Sequence, residues 1–153
     1  MNRSIVAREP KKETVFKRPY SVVLADGHQL VRQGVRRIIE AMDGIQVVGE
    51  AGDVVQLLEV LKTKVPDLLI VDISTPNLRN TESIRKIKEL QVRIKIIFLS
   101  MHDHQEYLNY ALDQGAEGFI VKPNMDVELS PAIEKVRQGG TFISPLAFPS
   151  RQN

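Results

Sequence analysis

The stretch VVLADGH, residues Val22–His28, decides the fold. An apolar, β-branched run stops abruptly on an acid, a glycine and a histidine. A run without polar alternation is what a strand covered on both faces requires. Asp26 stands where that strand ends. A carboxylate there either caps the next helix or belongs to a site.

The same pattern recurs along the chain. IQVVGEA, PDLLIVDI, IKIIFLS and GFIVKP are further short apolar runs. Between them lie segments with helical spacing. Val31, Val35, Ile38, Ile39 and Met42 make one stripe, and Leu57, Leu58 and Leu61 a second. Ile84 with Ile87, then Leu108, Ala111 and Leu112, then Ile133 with Val136 make three more. Asp53 is placed to cap the second helix, and Asp126 or Ser130 the fifth. Gly44, Gly115 and Gly139 follow helices, where a left-handed residue is needed. Pro66 stops the second helix. Pro131 predicts a late start for the fifth helix, with Ser130 as its cap. Five strands alternating with five helices give an α/β fold: a parallel sheet with helices on both faces. After Gly140 the period ends, so TFISPLAFPSRQN reads as a linker or frayed tail.

Composition bounds the class. The chain has 153 residues, 42% hydrophobic and 26% charged, enough for one domain with a proper core. Charges interrupt every stretch that could cross a bilayer, and the N-terminus has no apolar signal-peptide centre. Cysteine is absent, which rules out disulfides and thiolate metal sites and fits a cytoplasmic protein. The formal net charge is +2. Much of the excess lies in residues 1–19, where Arg3, Arg8, Lys11, Lys12, Lys17 and Arg18 face Glu9 and Glu13. Such a tail can touch nucleic acid or acidic lipid, but it has no helical period and little aromatic content. It reads as a solvated, disordered extension.

Ligands of an open parallel sheet bind beyond the carboxyl ends of its strands. Asp26 ends the first strand, Asp72 the third, Ser100 the fourth and Lys122 the fifth. Two carboxylates, a hydroxyl and an ammonium therefore meet at one edge. Charged residues are rarely buried without partners, so core packing does not explain them. A carboxylate can accept a phosphoryl group. That transfer needs positive charge around the equatorial oxygens, from a divalent cation and from Lys122. Ser100 can donate to a phosphoryl oxygen. The plainer reading is a salt-bridged edge, with Asp72 on Lys122 and Asp26 capping the first helix.

VVLADGHQLVRQGVRRIIE, VVGEAGD, PDLLIVDISTP, FLSMHDHQEYLNYALDQGAEGFIVKP and VRQGGTFISP together resemble the CheY-like receiver domain of two-component response regulators. The resemblance is nearest to the NarL/LuxR-type subfamily. It implies a flavodoxin-like (βα)5 three-layer sandwich with strand order 2-1-3-4-5. Residues 20–140 form the receiver, and 141–153 form a linker toward a C-terminal helix-turn-helix domain that this chain does not contain. By the same resemblance Asp72 is the phosphoacceptor, Asp26 one of an acidic pair around Mg2+, and the Ser74 carbonyl a further metal ligand. Ser100 is the switch hydroxyl, Phe119 the switch aromatic and Lys122 the family's lysine. The Lys122–Pro123 bond is cis in many members. A sensor histidine kinase would be the donor, a homodimer the common assembly, and DNA a partner only through the absent domain. No membrane partner is implied. The chain would be a signalling domain rather than a metabolic enzyme.

Two departures matter. The family usually reads Asp-Asp-His where this chain reads Asp26-Gly27-His28, so Gly27 replaces the acid that binds Mg2+ directly. A weaker cation and slower phosphorylation follow. Asn77 and Asn80 stand where glycines are usual, and Asn tolerates the left-handed region. Gly27 opens a second reading, a pseudo-receiver acting as a protein-interaction module without phosphate. A flavin- or nucleotide-binding protein would need a glycine-rich phosphate loop, which ADGHQLVRQG lacks. His28 reads as a helix-start residue. His102 and His104, in the loop after the fourth strand, fall short of a metal site.

Overall fold

A computed structural model describes residues 18–79 and 82–151. The expectations for the first seventeen residues and for Asn80 concern residues outside these. The chain alternates β1 (Tyr20–Ala25), α1 (Gln29–Glu40), β2 (Ile45–Ala51), α2 (Val54–Thr63), β3 (Leu68–Asp72), α3 (Ser83–Leu90), β4 (Lys95–Ser100), α4 (Gln105–Asp113), β5 (Gly118–Val121) and α5 (Met125–Arg137), then adds β6 (Phe142–Ile143). Every pairing is parallel, in the order β2-β1-β3-β4-β5-β6. The five expected strands and their order are present. No helix among the described residues is long and apolar enough to cross a membrane.

Strand alternation divides the core in two. Val22, Leu24, Ile70, Ile97 and Ile120 face α1 and α5, meeting Val35, Ile39, Leu129, Ile133 and Val136. Val23, Val71, Phe98 and Phe119 face the other way, onto Leu57 and Leu61 of α2, Ile84 and Ile87 of α3, and Leu108 of α4. Burial on both faces is why the strands read as unbroken apolar runs. The punctuation holds where it is local. Asp53 accepts from the Gln56 backbone N–H at 2.8 Å. Gly44, Gly115 and Gly139 have φ of 73°, 77° and 93°, and Asn77 has 68°. Leu112, expected in the core, is 37% exposed.

The C-terminal half corrects three expectations, each through tertiary contacts. First, α5 starts at Met125 rather than Pro131, and neither Asp126 nor Ser130 is its N-cap. Its opening turn is held by burial of Glu128 and Leu129, which outweighs the hydrogen bond lost at Pro131. Second, residues after Gly140 pack on the sheet instead of leaving it. β6 pairs with β5, and the Ser144 N–H donates to the Phe119 carbonyl at 2.8 Å. The Glu128 carboxylate accepts from the Ser144 hydroxyl at 2.5 Å and from the Leu146 N–H at 2.9 Å. Phe148 then meets Phe119 edge-on, with ring centroids 6.0 Å apart. Third, no cis peptide occurs among the described residues. The chain leaves β5 through a single 3-10 turn, Lys122–Asn124.

At the other end Arg18 joins Asp67 through two hydrogen bonds of 2.8 Å. That hydrogen bond, ahead of the Ser21 N–H and against the pull of burial, holds the Asp67 carboxyl below its ordinary value of 3.8. A depressed carboxyl stabilises the fold above its unfolded value and stops doing so as pH falls through the depressed one.

Two measurements test this packing. Phe148→Ala should cost about 3 kcal/mol in urea denaturation, as for a buried aromatic. A frayed tail would give a change near zero. In a carbon-13 NMR titration, Arg18→Ala should raise the Asp67 midpoint toward the ordinary range. An unmoved midpoint would assign the depression to Ser21 instead.

Candidate functional site

Parallel strands of similar register end on one edge, and that edge collects the polar residues. Ala25 pairs with Val71, Asp72 with Leu99 and Ser100 with Val121. Asp26 follows β1 directly, Asp72 is the last residue of β3, and Lys122 follows β5. The Lys122 ammonium lies 2.8 Å from Asp26 Oδ2 and 3.1 Å from Asp72 Oδ2. All three are nearly buried, at 6%, 3% and 2% exposure. Residues separated by 96 and 50 positions thus form one ionic cluster.

The remaining carboxylate oxygens are also engaged. Asp26 Oδ1 accepts from the His28 backbone N–H at 2.8 Å and faces His28 Nδ1 at 3.2 Å. Asp72 Oδ1 accepts from the Ser74 N–H at 3.1 Å, and the Ser74 hydroxyl donates to Oδ2 at 2.9 Å. The salt-bridged edge and the site are therefore the same object. His28, not Asp26, occupies the N-cap position of α1, without a side-chain cap bond.

Ser100 is fully buried, but its hydroxyl is turned to its own loop. It donates to the His102 carbonyl at 2.8 Å and accepts from the His102 N–H at 3.0 Å. Phe119 is 1% exposed on β5 and is covered by Phe148. Asp26, Asp72, Lys122 and Ser74 are brought together; Ser100 and Phe119 stand apart with partners of their own.

Gly27 sits in the mouth of this cluster. A Cβ built there meets the Gly52 carbonyl and Pro76 Cδ at 3.6 Å, which is ordinary van der Waals contact. Its backbone is not in the left-handed region, so nothing local demands a glycine. One side chain was underrated in the sequence. Asp26, His28 and Asp72 each offer a ligand atom, and all three atoms lie within 4.8 Å of one another. The signal was the Asp-x-His spacing across a tight turn. Two buried carboxylates and an imidazole fit a divalent cation. His102 and His104 add no such group among the described residues. Their rings stack on each other and on Tyr107, and Arg79 lies over the Tyr107 ring.

The electrostatics give an ordering. Lys122→Ala leaves two buried carboxylates facing each other and should cost about 3 kcal/mol or more. Asp72→Asn keeps Lys122 paired with Asp26 and should shift stability by less than about 1 kcal/mol. Urea denaturation of both variants checks this; equal losses would contradict the shared-ammonium picture.

Comparison with known proteins agrees with this geometry. Residues 22–134 match the family model of the response regulator receiver domain. The chain is 33% identical over 134 residues to the transcriptional regulatory protein DegU of Brevibacillus brevis, covering 87% of this chain and 56% of that protein. It is 37% identical over 133 residues to the oxygen regulatory protein NreC of Staphylococcus carnosus, covering 86% and 61%. The chain thus spans less than two thirds of these curated relatives. A LuxR-family two-component response regulator from an Aurantimonas species superposes with a TM-score of 0.77 at 30% identity, over 84% of this chain and 92% of that one. The isolated receiver domain of RcsB from Salmonella enterica serovar Typhimurium, determined with the phosphomimetic BeF3-, gives 0.74 at 29% identity, over 82% and 93%. With the sheet order, the strand-end cluster and these matches in agreement, the chain belongs to the response regulator receiver family, of the NarL/LuxR type.

Proposed function

We propose that Asp72 accepts a phosphoryl group from a sensor histidine kinase and that the change is relayed to regulate transcription through a LuxR-type DNA-binding domain outside this chain. The observation that carries the reading is the Lys122 ammonium 3.1 Å from the Asp72 carboxylate. An Asp72 oxygen attacks the phosphorus of a phosphohistidine, the P–N bond breaks, and the imidazole leaves to take a proton from water. Lys122 neutralises the arriving oxygens as a point charge. Asp26, Asp72 and the Ser74 carbonyl would hold a divalent cation, weakly in the case of Mg2+, and when bound it would supply the rest of the positive charge.

Ser100 takes part by changing partners. Its hydroxyl gives up the His102 carbonyl and donates to a phosphoryl oxygen, which draws the β4–α4 loop inward. Phe119 then turns as a switch. The phosphate shifts this equilibrium only by its differential affinity for the two arrangements. The catalysis is the domain's own, directed at itself, which makes it a signalling device in the cytoplasm rather than a metabolic enzyme. Relatives support the output side. RcsB is known in complex with DNA and as two dimers bound to two parallel DNAs, and a homodimer on DNA is proposed for the protein containing this receiver. The phosphate-independent pseudo-receiver is not favoured. Its one support is Gly27, against which stand Asp72 and Lys122 in contact and Ser100 at the end of β4.

Acetyl phosphate and Mg2+ should add one acid-labile phosphate to the protein, seen by intact mass, and Asp72→Asn should abolish it. A phosphate that persists in Asp72→Asn, or none at any Mg2+ concentration, would remove this assignment.

A further inference from the structure

Gly27 leaves the pocket one carboxylate short, and His28 stands beside the gap. The His28 N–H is tied to Asp26 Oδ1 at 2.8 Å, which fixes the residue at the pocket mouth. Its ring nitrogen Nδ1 lies 3.2 Å from that same oxygen. Two ligands each about 2.1 Å from a shared ion, in neighbouring positions, sit about 3.0–3.4 Å apart. The Nδ1–Oδ1 separation, a side-chain contact in this structure, falls in that range. Asp72 supplies the third donor, with all three ligand atoms within 4.8 Å. The His28 side chain is 72% exposed, so Nε2 can carry the ring proton into water while Nδ1 offers its lone pair inward.

We propose that this pocket prefers divalent cations that accept imidazole nitrogen, such as Zn2+ and Co2+, over Mg2+, with His28 Nδ1 as the ligand replacing the carboxylate missing at Gly27. The inference rests on the reading of Asp72 as a phosphoacceptor, because the cation's task there is to neutralise phosphoryl oxygens.

The donor set carries the argument. Mg2+ is a hard ion that takes oxygen ligands and gives up water reluctantly, so loss of a carboxylate weakens it most. Imidazole suits zinc, cobalt and nickel, and these ions bind mixed nitrogen and oxygen sites more tightly than the earlier metals. Lys122 strengthens the bias. Its ammonium takes up part of the charge of both carboxylates, which a purely electrostatic ion needs more than one that also gains a nitrogen bond. A Cβ at Gly27 would meet nothing closer than 3.6 Å, so an aspartate can be restored there as a comparison.

The chain has three histidines, so a His102→Ala/His104→Ala background makes His28 the sole imidazole. Calorimetric titration of that protein should give one Zn2+ site bound at least about a hundredfold more tightly than Mg2+. The His28 Nδ1 resonance should shift on adding Zn2+. His28→Ala should lose at least about tenfold in Zn2+ affinity with Mg2+ nearly unchanged, and Gly27→Asp should raise Mg2+ affinity by a similar factor. An unmoved Nδ1 resonance, or Zn2+ affinity indifferent to His28, overturns the proposal. Phosphate on Asp72 is counted separately by intact mass in Mg2+ and in Zn2+. Zn2+ ligation by His28 with no phosphate in either ion keeps the metal site and removes the phosphoacceptor reading. Phosphate formed in Mg2+ with Zn2+ binding indifferent to His28 does the reverse.

Discussion

One ammonium shared between two buried carboxylates organises this molecule. Lys122 reaches Asp26 and Asp72 from the end of a strand two places from β3 in the sheet. The arrangement is electrically incomplete, because two carboxylates outnumber one ammonium. A phosphoryl group on Asp72 would replace one negative charge with about two. The excess would then match one divalent cation. The cluster is thus paired enough to be built into the core edge, yet unbalanced enough to respond to a cation and a phosphate together. A fully neutralised edge would have no such response, and an edge without Lys122 would leave like charges facing each other in a low dielectric.

The sheet was readable because its physics is local and repeated. Strands covered on both faces must be apolar throughout, and turns between them must use residues such as Asp53, Gly44 and Gly115. The strand-end cluster was readable for the opposite reason. Asp26, Asp72 and Lys122 break an apolar run where no turn requires it. What sequence reading missed depends on contacts across the fold. Glu128 lies ahead of the helix start that Pro131 suggests, yet it is on α5, and its buried carboxylate holds the Ser144 hydroxyl and the Leu146 N–H. Phe148 lies in a segment with two prolines and no period, and its place is set by Phe119. A two-residue strand such as β6 carries no alternation to detect. His28 was legible as the start of α1 but not as a neighbour of Asp26, since a tight turn rather than a periodicity brings its ring back.

Ser100 and Phe119 illustrate a further limit. Sequence matching supplies a role for each but not the partners each must leave. The Ser100 hydroxyl is satisfied twice by the His102 backbone. On the proposed reading it exchanges those bonds for a phosphoryl oxygen, so the loop from Met101 to His104 has to move with it. That loop carries the stacked rings of His102 and His104 against Tyr107, and Arg79 joins it from the β3–α3 side. The segment after β3 thus meets the start of α4 through the contact of Arg79 with Tyr107.

Phe119 is held on two sides. Its carbonyl accepts from Ser144, and its ring meets Phe148. Rotation of that ring in a close-packed core displaces what it touches, because packed interiors move between discrete arrangements rather than deforming smoothly. Among what that ring touches is Phe148, in the segment from Phe142 to Arg151 that Glu128 on α5 also anchors. On the proposed reading, a signal that began as charge at Asp72 would then leave the domain as a change in how the segment from Phe142 to Arg151 is seated. That path needs no contact between the acceptor and the output. It needs only that β5 carry Phe119 on one face and lead directly into Lys122, so that one short strand joins the ionic cluster to the C-terminal strap.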